Sequence, residues 1–288
     1  MFALATGYGR SMSTVPPSPS RRQVLTFLGG LGGLGILTVA GCAGDTSPAS
    51  SDDERRSRTP TTTSSLTSTT TAGAGAATAS ACVDVPEETA GPYPGDGSNG
   101  PDVLSQDGVV RRDIRSSLGT AGGTVSGAPL TVSLNVLDLT NGCKPLVGAA
   151  IYAWHCDADG RYSMYSQGAT GETWLRGVQP TDSSGTATFQ TIFPGAYPGR
   201  WPHVHFEVYP NVAAATNASG KLATSQIALP EDACRQAYTT SGYATSARNF
   251  PQTPLASDGV FRDGWSQQLS TVTGTPSNGL VSTLTIAV

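Results

Sequence analysis

Two tyrosines and two histidines are the residues of this chain best suited to chemistry. His203 and His205 are two apart in the run Tyr-Pro-Gly-Arg-Trp-Pro-His-Val-His, which begins at Tyr197. In an extended strand alternate side chains share a face, so both imidazoles are expected to point the same way, with Val204 on the other side. Tyr197 lies beyond a Pro-Gly turn, close enough to be a third metal ligand, and Tyr162 in Asp-Gly-Arg-Tyr is a fourth candidate.

This donor set favours one metal. A tyrosine ordinarily has a pKa of about 10, so a phenolate at neutral pH needs a strong positive charge beside it. Two phenolates and two neutral imidazoles carry two negative charges, which suit a small, hard, trivalent ion better than zinc or copper(I). The pattern therefore predicts non-haem Fe(III), one ion per chain, with one position left for water or hydroxide. A different metal in the same site is the alternative.

Each of these residues also has an ordinary structural interpretation. A tyrosine in a Gly-Arg-Tyr turn is usually a packing residue, and a His-x-His strand also occurs with one solvated and one packed imidazole. His155, the third histidine, stands between Trp154 and Cys156 on a strand that is predicted to be buried. We therefore interpret His155 as a structural, hydrogen-bonded histidine and not as a ligand.

The composition indicates a loop-rich β protein. The 288 residues include 35 glycines and 20 prolines. Short alternating or β-branched runs are separated by turn clusters, and no long stretch has helical periodicity. We predict an all-β domain over residues 82–288, an antiparallel β-sandwich with long loops and little helix. The predicted strands are 129–136, 146–154, 186–192, 202–209, 225–229 and 280–288, with a short helix at 231–238.

The N-terminal part is predicted to be an export signal followed by a linker. Residues 1–42 contain Ser20-Arg21-Arg22, which resembles a twin-arginine motif, and end in Val-Ala-Gly-Cys42, which resembles a lipobox. The alternative is a plain signal peptide in which Cys42 is incidental. Residues 43–81 are rich in Ser, Thr, Ala and Gly and are predicted to be a disordered tether. We expect an exported protein, either a cell-envelope lipoprotein or a secreted one.

The charge balance narrows the range of partners. Residues 43–288 hold 14 basic and 21 acidic side chains, because the first 42 residues contain three arginines and no acid. An acidic domain argues against nucleic acid as a partner. Contact with a membrane is expected only through the N-terminal lipid anchor.

The remaining cysteines are Cys82, Cys143, Cys156 and Cys234. An even number in an exported chain suggests two disulfides, and the sequence does not choose among the three pairings. Free buried cysteines are the alternative, and a zinc site has no close-paired spacing in its favour.

Taken together, these motifs closely resemble the intradiol ring-cleavage dioxygenases. The resemblance rests on Trp154-His-Cys-Asp-Ala-Asp-Gly-Arg-Tyr162, on Phe193-Pro-Gly-Ala-Tyr-Pro-Gly-Arg-Trp-Pro-His-Val-His205, and on Thr224-Ser-Gln226. It covers about residues 87–230, and the Tyr197-to-His203 spacing resembles that of the exported, short-loop members. The resemblance implies that Tyr162 and His203 are equatorial ligands and that Tyr197 and His205 are axial ones.

The resemblance also implies a reaction. Arg200 and Gln226 match the catalytic arginine and glutamine of the family, and Tyr93, in Glu-Thr-Ala-Gly-Pro-Tyr, is a candidate for substrate binding. The implied partners are a catechol-type aromatic and O2, and the implied product is a cis,cis-muconate that contains both oxygen atoms. A homo-oligomer is compatible with the family. The rival hypothesis is an exported iron- or catechol-binding protein on the same fold, without turnover.

Overall fold

The computed structural model describes residues 82–119 and 122–288. The predicted signal (1–42) with Cys42 and the predicted tether (43–81) therefore lie outside the described residues and stay predictions. Among the described residues, no helix has the length and apolarity needed to cross a membrane. The strands are β1 (Pro129–Asp138), β2 (Lys144–Pro145), β3 (Ala150–Trp154), β4 (Arg176–Pro180), β5 (Thr186–Ile192), β6 (His203–Tyr209), β7 (Ala223–Ala228), β8 (Thr271–Thr275) and β9 (Gly279–Ala287), and the α-helices are α1 (Val212–Ala215), α2 (Glu231–Ala237) and α3 (Ala244–Asn249).

The strands form two sheets. In the first, the order is β2-β1-β9-β8, and β5 also pairs with β1. All of its pairings are antiparallel except that of β1 with β9, which is parallel. In the second sheet the order is β4-β3-β6-β7, and every pairing is antiparallel. The predicted all-β sandwich is thus confirmed, with one parallel pair that the sequence did not indicate.

Side-chain alternation explains why the two sheets pack together. Every second residue of β1, from Leu130 to Val136, is buried against residues of the second sheet such as Ile151 and Phe206 in one apolar core. Burial of such side chains is the main favourable term in folding, at about 25 cal/mol for each Å² of apolar surface. The second sheet is also covered on its outer face, where Tyr152 and Trp154 belong to a second apolar cluster.

The strand predictions from sequence hold best where alternation is clear. The predicted strands at 129–136, 186–192, 202–209 and 280–288 match β1, β5, β6 and β9 within two residues. The predicted strand at 146–154 begins only at Ala150, because a turn with Gly148 in the left-handed region (φ 81°) precedes it. Three strands were not predicted: β2, β4 and β8 are short and carry no extended apolar alternation.

The expectation of two disulfides is wrong. Cys82 is joined to Cys143, and Cys156 and Cys234 are free and buried. The thiol of Cys156 donates to the carbonyl oxygen of Gly195, 3.4 Å away. Burial raises the pKa of both free thiols, so these cysteines are small apolar core residues and not reactive thiolates.

Candidate metal and catalytic site

Strand β6 places both histidines on the outer face of the second sheet. Val204, Phe206 and Val208 point into the sandwich core, so His203 and His205 point the other way, as the alternation predicts. The ring of His205 stacks on Trp154, its partner on β3, with centroids 4.8 Å apart and planes 2° from parallel. Both imidazoles are buried.

Tyr162 is presented by a tight loop that follows β3. The Asp157 carboxylate accepts hydrogen bonds from the backbone N–H groups of Asp159 and Arg161, which closes the loop just before the tyrosine. Gly160 lies in this loop with φ 84°, and a Cβ at that position would come within 2.9 Å of the Cβ of Tyr197. Glycine at 160 therefore lets the two tyrosine-bearing segments approach each other.

Tyr197 begins a turn between β5 and β6. The N–H of Arg200 donates to the carbonyl of Tyr197, 3.4 Å away, and Gly199 has a φ of 85°. Proline at the second position and a left-handed glycine at the third are typical of a type II turn. The turn points the phenol back over β6, where it meets the ring of His203 edge-on.

The four donor atoms converge. Five pairs among Tyr162 Oη, Tyr197 Oη, His203 Nε2 and His205 Nε2 lie 3.1 to 3.4 Å apart. Four atoms at such spacing surround a point that lies about 2 Å from each, the usual length of a metal–nitrogen or metal–oxygen bond in proteins. The same distances are long for hydrogen bonds from a hydroxyl, which are typically about 2.7 Å. The spacing therefore fits a shared ion better than direct hydrogen bonds.

The two ring nitrogens of His203 are arranged as in a metal-binding histidine. Its Nδ1–H donates to the carbonyl of Trp201, which leaves Nε2 with a lone pair directed at the cluster. The Nδ1 of His205 is buried and finds no hydrogen-bond partner among the described residues. In residues 82–119 and 122–288, no three His, Cys, Asp or Glu side chains form a group able to hold a metal, so an ion here needs the phenol oxygens.

Burial keeps the protein groups of this cluster uncharged. Desolvation, and next the neighbouring Tyr197, raise the pKa of Tyr162 well above 10, and desolvation raises that of Tyr197 to about 12. Desolvation lowers the pKa of His203 to about 3 and, with help from His203, lowers that of His205 well below 6.5. Neutral imidazoles are ready to bind a cation, whereas the phenols lose their protons only beside a strong positive charge.

Arg200 and Gln226 lie together beside the four donors. The guanidinium Nη2 of Arg200 donates to the side-chain oxygen of Gln226, and Gln226 Nε2 donates to the carbonyl of Thr89, 2.9 Å away. Gln226 is directly opposite His205 in the pairing of β7 with β6. Gln226 is 21 positions after His205 in the sequence, but the pairing of β6 with β7 places the two residues side by side.

Tyr93 forms part of the wall of the site. Its ring centroid is 4.9 Å from that of Tyr162, and the side chain is 36% exposed. The segment that leads to it passes over β6, where the Cβ of an alanine at Gly91 would lie 3.4 Å from the ring of His205. Tyr93 is thus placed where a molecule beside the four donors would meet it.

Residues 100–213 match the family model Dioxygenase_C, described as Dioxygenase. The solved structure of an intradiol ring-cleavage dioxygenase from Tetranychus urticae is 27% identical, covers 72% of this chain and 94% of its own, and has a TM-score of 0.55. Over this span the chain is similar to intradiol ring-cleavage dioxygenases. The matched span of the family model contains all four donor residues and Arg200.

Two further solved structures are similar to this chain. Dioxygenase Tetur07g02040 is 28% identical, with coverage of 72% of this chain and 94% of that chain and a TM-score of 0.56. The dioxygenase domain of a carbohydrate-binding fusion protein from Streptomyces sp. SirexAA-E is 26% identical, with coverage of 72% and 98% and a TM-score of 0.44. No curated protein sequence matches the chain at a significant level.

Sequence reasoning missed Arg176, which supports the wall of the site. This arginine is fully buried and donates to the carbonyls of Tyr93, Pro94 and Ser163 and to the hydroxyls of Ser163 and Tyr152. It therefore ties the Tyr93 segment to the loop that follows Tyr162. A single arginine outside any predicted element carries no such signal, because its partners are carbonyl and hydroxyl groups that are distant in the sequence.

His155 has the structural role expected of it. Its Nδ1–H donates to the carbonyl of Cys156, and its Nε2 accepts from the hydroxyl of Thr191, both at 2.7 Å. Asp258 is a second residue that sequence reasoning missed, since it contacts Arg200 from a loop 58 positions further along the chain.

Replacement of Arg176 by methionine should lower the free energy of unfolding by roughly 2–4 kcal/mol, because buried carbonyls lose a charged donor. Urea denaturation measures this change. Arg115→Met is the matched control, because that arginine is 43% exposed and pairs only with exposed Asp113, so its loss should cost less than about 1 kcal/mol. Equal effects of the two substitutions would show that the Arg176 contacts do not stabilise the fold.

Stability should fall as the pH is lowered from 6.5 to about 4, partly because of His155. Desolvation lowers the pKa of His155 from 6.5 to about 4 in the folded protein, so the unfolded chain binds more protons within this window. The contribution is present above pH 6.5 and is lost towards pH 4, up to about 3 kcal/mol. His155→Gln should therefore flatten the plot of unfolding free energy against pH, and an unchanged slope would contradict the assignment.

Proposed function

We propose that the protein is a non-haem Fe(III) intradiol dioxygenase that cleaves a catechol-type ring between its two hydroxylated carbons. The observation that carries this proposal is the convergence of two phenol oxygens and two imidazole nitrogens beside Arg200 and Gln226. Similarity to a solved intradiol ring-cleavage dioxygenase supports the reaction class. The substrate is left at the level of a catechol-type aromatic.

The four converging side chains would hold one ferric ion. Two phenolates would lower its net charge and favour the ferric over the ferrous state, and two neutral imidazoles would complete the set. Among these four residues, Tyr197 and His205 make no hydrogen bond with each other, whereas the other five pairs are in contact. All four side chains would hold the ion, Tyr162 and Tyr197 through their phenol oxygens and His203 and His205 through their Nε2 atoms.

When bound, ferric iron would withdraw electron density from a chelated catecholate and make its ring reactive towards O2. The protein's own groups then have separate tasks. Arg200 offers a fixed positive charge and N–H donors to negative charge that develops on the substrate, and Gln226 holds the guanidinium in place. Tyr93 would pack against the aromatic ring of the substrate beside Tyr162.

The proposed reaction is balanced without an external reductant. One carbon–carbon bond of the ring breaks, both atoms of O2 enter the product, and a catechol becomes a cis,cis-muconate. We also propose that the enzyme works outside the cytoplasm, on the basis of the twin-arginine-type segment and the lipobox-like Cys42.

A single preparation tests the proposal. Purified protein with iron should be burgundy because of tyrosinate-to-Fe(III) charge transfer, and added catechol should shift the absorption band and consume O2 in equal amount to the muconate formed. Removal of iron with a chelator should abolish the colour and the consumption of O2, and addition of iron should restore them. A coloured protein that binds catechol but takes up no oxygen would favour the rival hypothesis of an iron- or catechol-binding protein.

Tyr162→Phe should lose iron and colour, and its turnover should fall at least about 100-fold, because one anionic ligand is removed. Metal analysis and the visible spectrum measure the outcome. Tyr165→Phe is the matched control, since its hydroxyl bonds to Asn99 and to the N–H of Gly95, away from the four donors. Full iron content in Tyr162→Phe would remove Tyr162 from the ligand set.

A further inference from the structure

Asp258 is a buried carboxylate with every oxygen engaged. Its side chain is 0% exposed. One oxygen accepts from Arg200 Nε at 2.9 Å and from the N–H of Trp201 at 2.6 Å. The other accepts from the N–H groups of Val260 and Phe261, at 2.8 and 3.2 Å. The carboxylate is held in one orientation, because rotation of the side chain would break several hydrogen bonds that water cannot replace in a buried site.

This carboxylate stays ionised at neutral pH. Burial by itself would raise the pKa of Asp258, but the Trp201 N–H and the Arg200 guanidinium lower it below its ordinary value. A buried charge is retained when it is paired with good geometry and its remaining hydrogen-bonding capacity is used, and the Asp258 carboxylate meets both conditions. The pair of Asp258 with Arg200 is therefore a fixed structural unit.

The fixed unit determines where the Arg200 guanidinium points. Its Nε is held by Asp258 and its Nη2 by Gln226, which in turn is anchored to Thr89. Within residues 82–119 and 122–288, the third nitrogen, Nη1, makes no hydrogen bond, and the side chain is 18% exposed. Two nitrogens are thus anchored, and Gln226, which holds one of them, lies directly opposite His205 in the pairing of β7 with β6.

We propose that Asp258 is the positioning residue of Arg200: it fixes the guanidinium plane so that the free Nη1 edge faces an anionic catecholate at the four-donor cluster. This inference rests on the proposed function. Asp258 does not touch the substrate and acts only through the arginine. A guanidinium without this anchor would sample several rotamers, and misplacement of a stabilising group by about 1 Å can lower a rate roughly 100-fold.

A double-mutant cycle tests the coupling. Asp258→Asn should lower kcat/KM about 10- to 100-fold, with iron content and visible spectrum retained. In an Arg200→Ala background, Asp258→Asn should lower kcat/KM less than about threefold, because there is no arginine left to position. If the loss of kcat/KM in the double variant equalled the product of the two single losses, the proposal would be overturned. Asp263→Asn, an exposed acid of the same loop region, is the control that should leave kcat/KM unchanged.

A second measurement needs neither activity nor a folded Asp258 variant. In wild-type protein loaded with diamagnetic Ga(III), the NMR signal of the Arg200 Nε–H proton can be assigned by its absence from the spectrum of Arg200→Lys. This proton should exchange with solvent at least about tenfold more slowly than the Nε–H proton of exposed Arg115. Equal exchange rates would overturn the positioning role. Wild-type protein that cleaves no catechol would instead overturn the proposed function, which keeps the two failures distinct.

Discussion

Strand β6 is buried on both of its faces, and the site depends on this constraint. One face contributes Val204 and Phe206 to the sandwich core, and the other carries His203 and His205 beneath the loops of the outer face. Burial away from water disfavours charge on imidazole and phenol alike, so the four donor side chains are neutral when no cation is bound. A trivalent ion bound between them, as proposed, would supply the charge that makes deprotonation of the phenols favourable. Metal binding and loss of two protons are therefore expected to be a single linked event.

Two arginines border this neutral cluster, and they are accommodated in different ways. Arg200 is partly exposed and has an ionised partner, Asp258; among the described residues its Nη1 makes no hydrogen bond. Arg176 is fully buried, and within the part of the chain that the structure describes its partners are carbonyl and hydroxyl oxygens, with no carboxylate. The first arrangement directs a guanidinium, whereas the second locks backbone segments in place. The site therefore combines a rigid wall with one oriented donor, which is the combination that preorganised catalysis requires.

The sequence predicted the parts of this molecule that follow from local periodicity. Alternation identified β1, β5, β6 and β9, and the His-x-His spacing gave the shared face of His203 and His205. The Pro-Gly turn before β6 made Tyr197 a candidate ligand, with Tyr162 as a fourth candidate. The resemblance to a family strengthened the expectation that the two tyrosines converge, because no local rule links positions 35 residues apart. Arg176 and Asp258 could not be predicted, since their roles arise from backbone groups brought near by tertiary packing. The pairing of Cys82 with Cys143 was open for the same reason.

The Cys82–Cys143 bond has a mechanical consequence. It attaches the first described residue to the turn that follows β1, and the N–H of Val85 bonds to the carbonyl of Ala287 at the end of β9. A pulling force applied upstream of Cys82 would enter the fold through these two attachments, both in the first sheet. His203, His205 and Gln226 lie in the second sheet, outside that load path. A force applied at the N-terminal end of the domain would therefore act first on the sheet that does not carry His203 and His205.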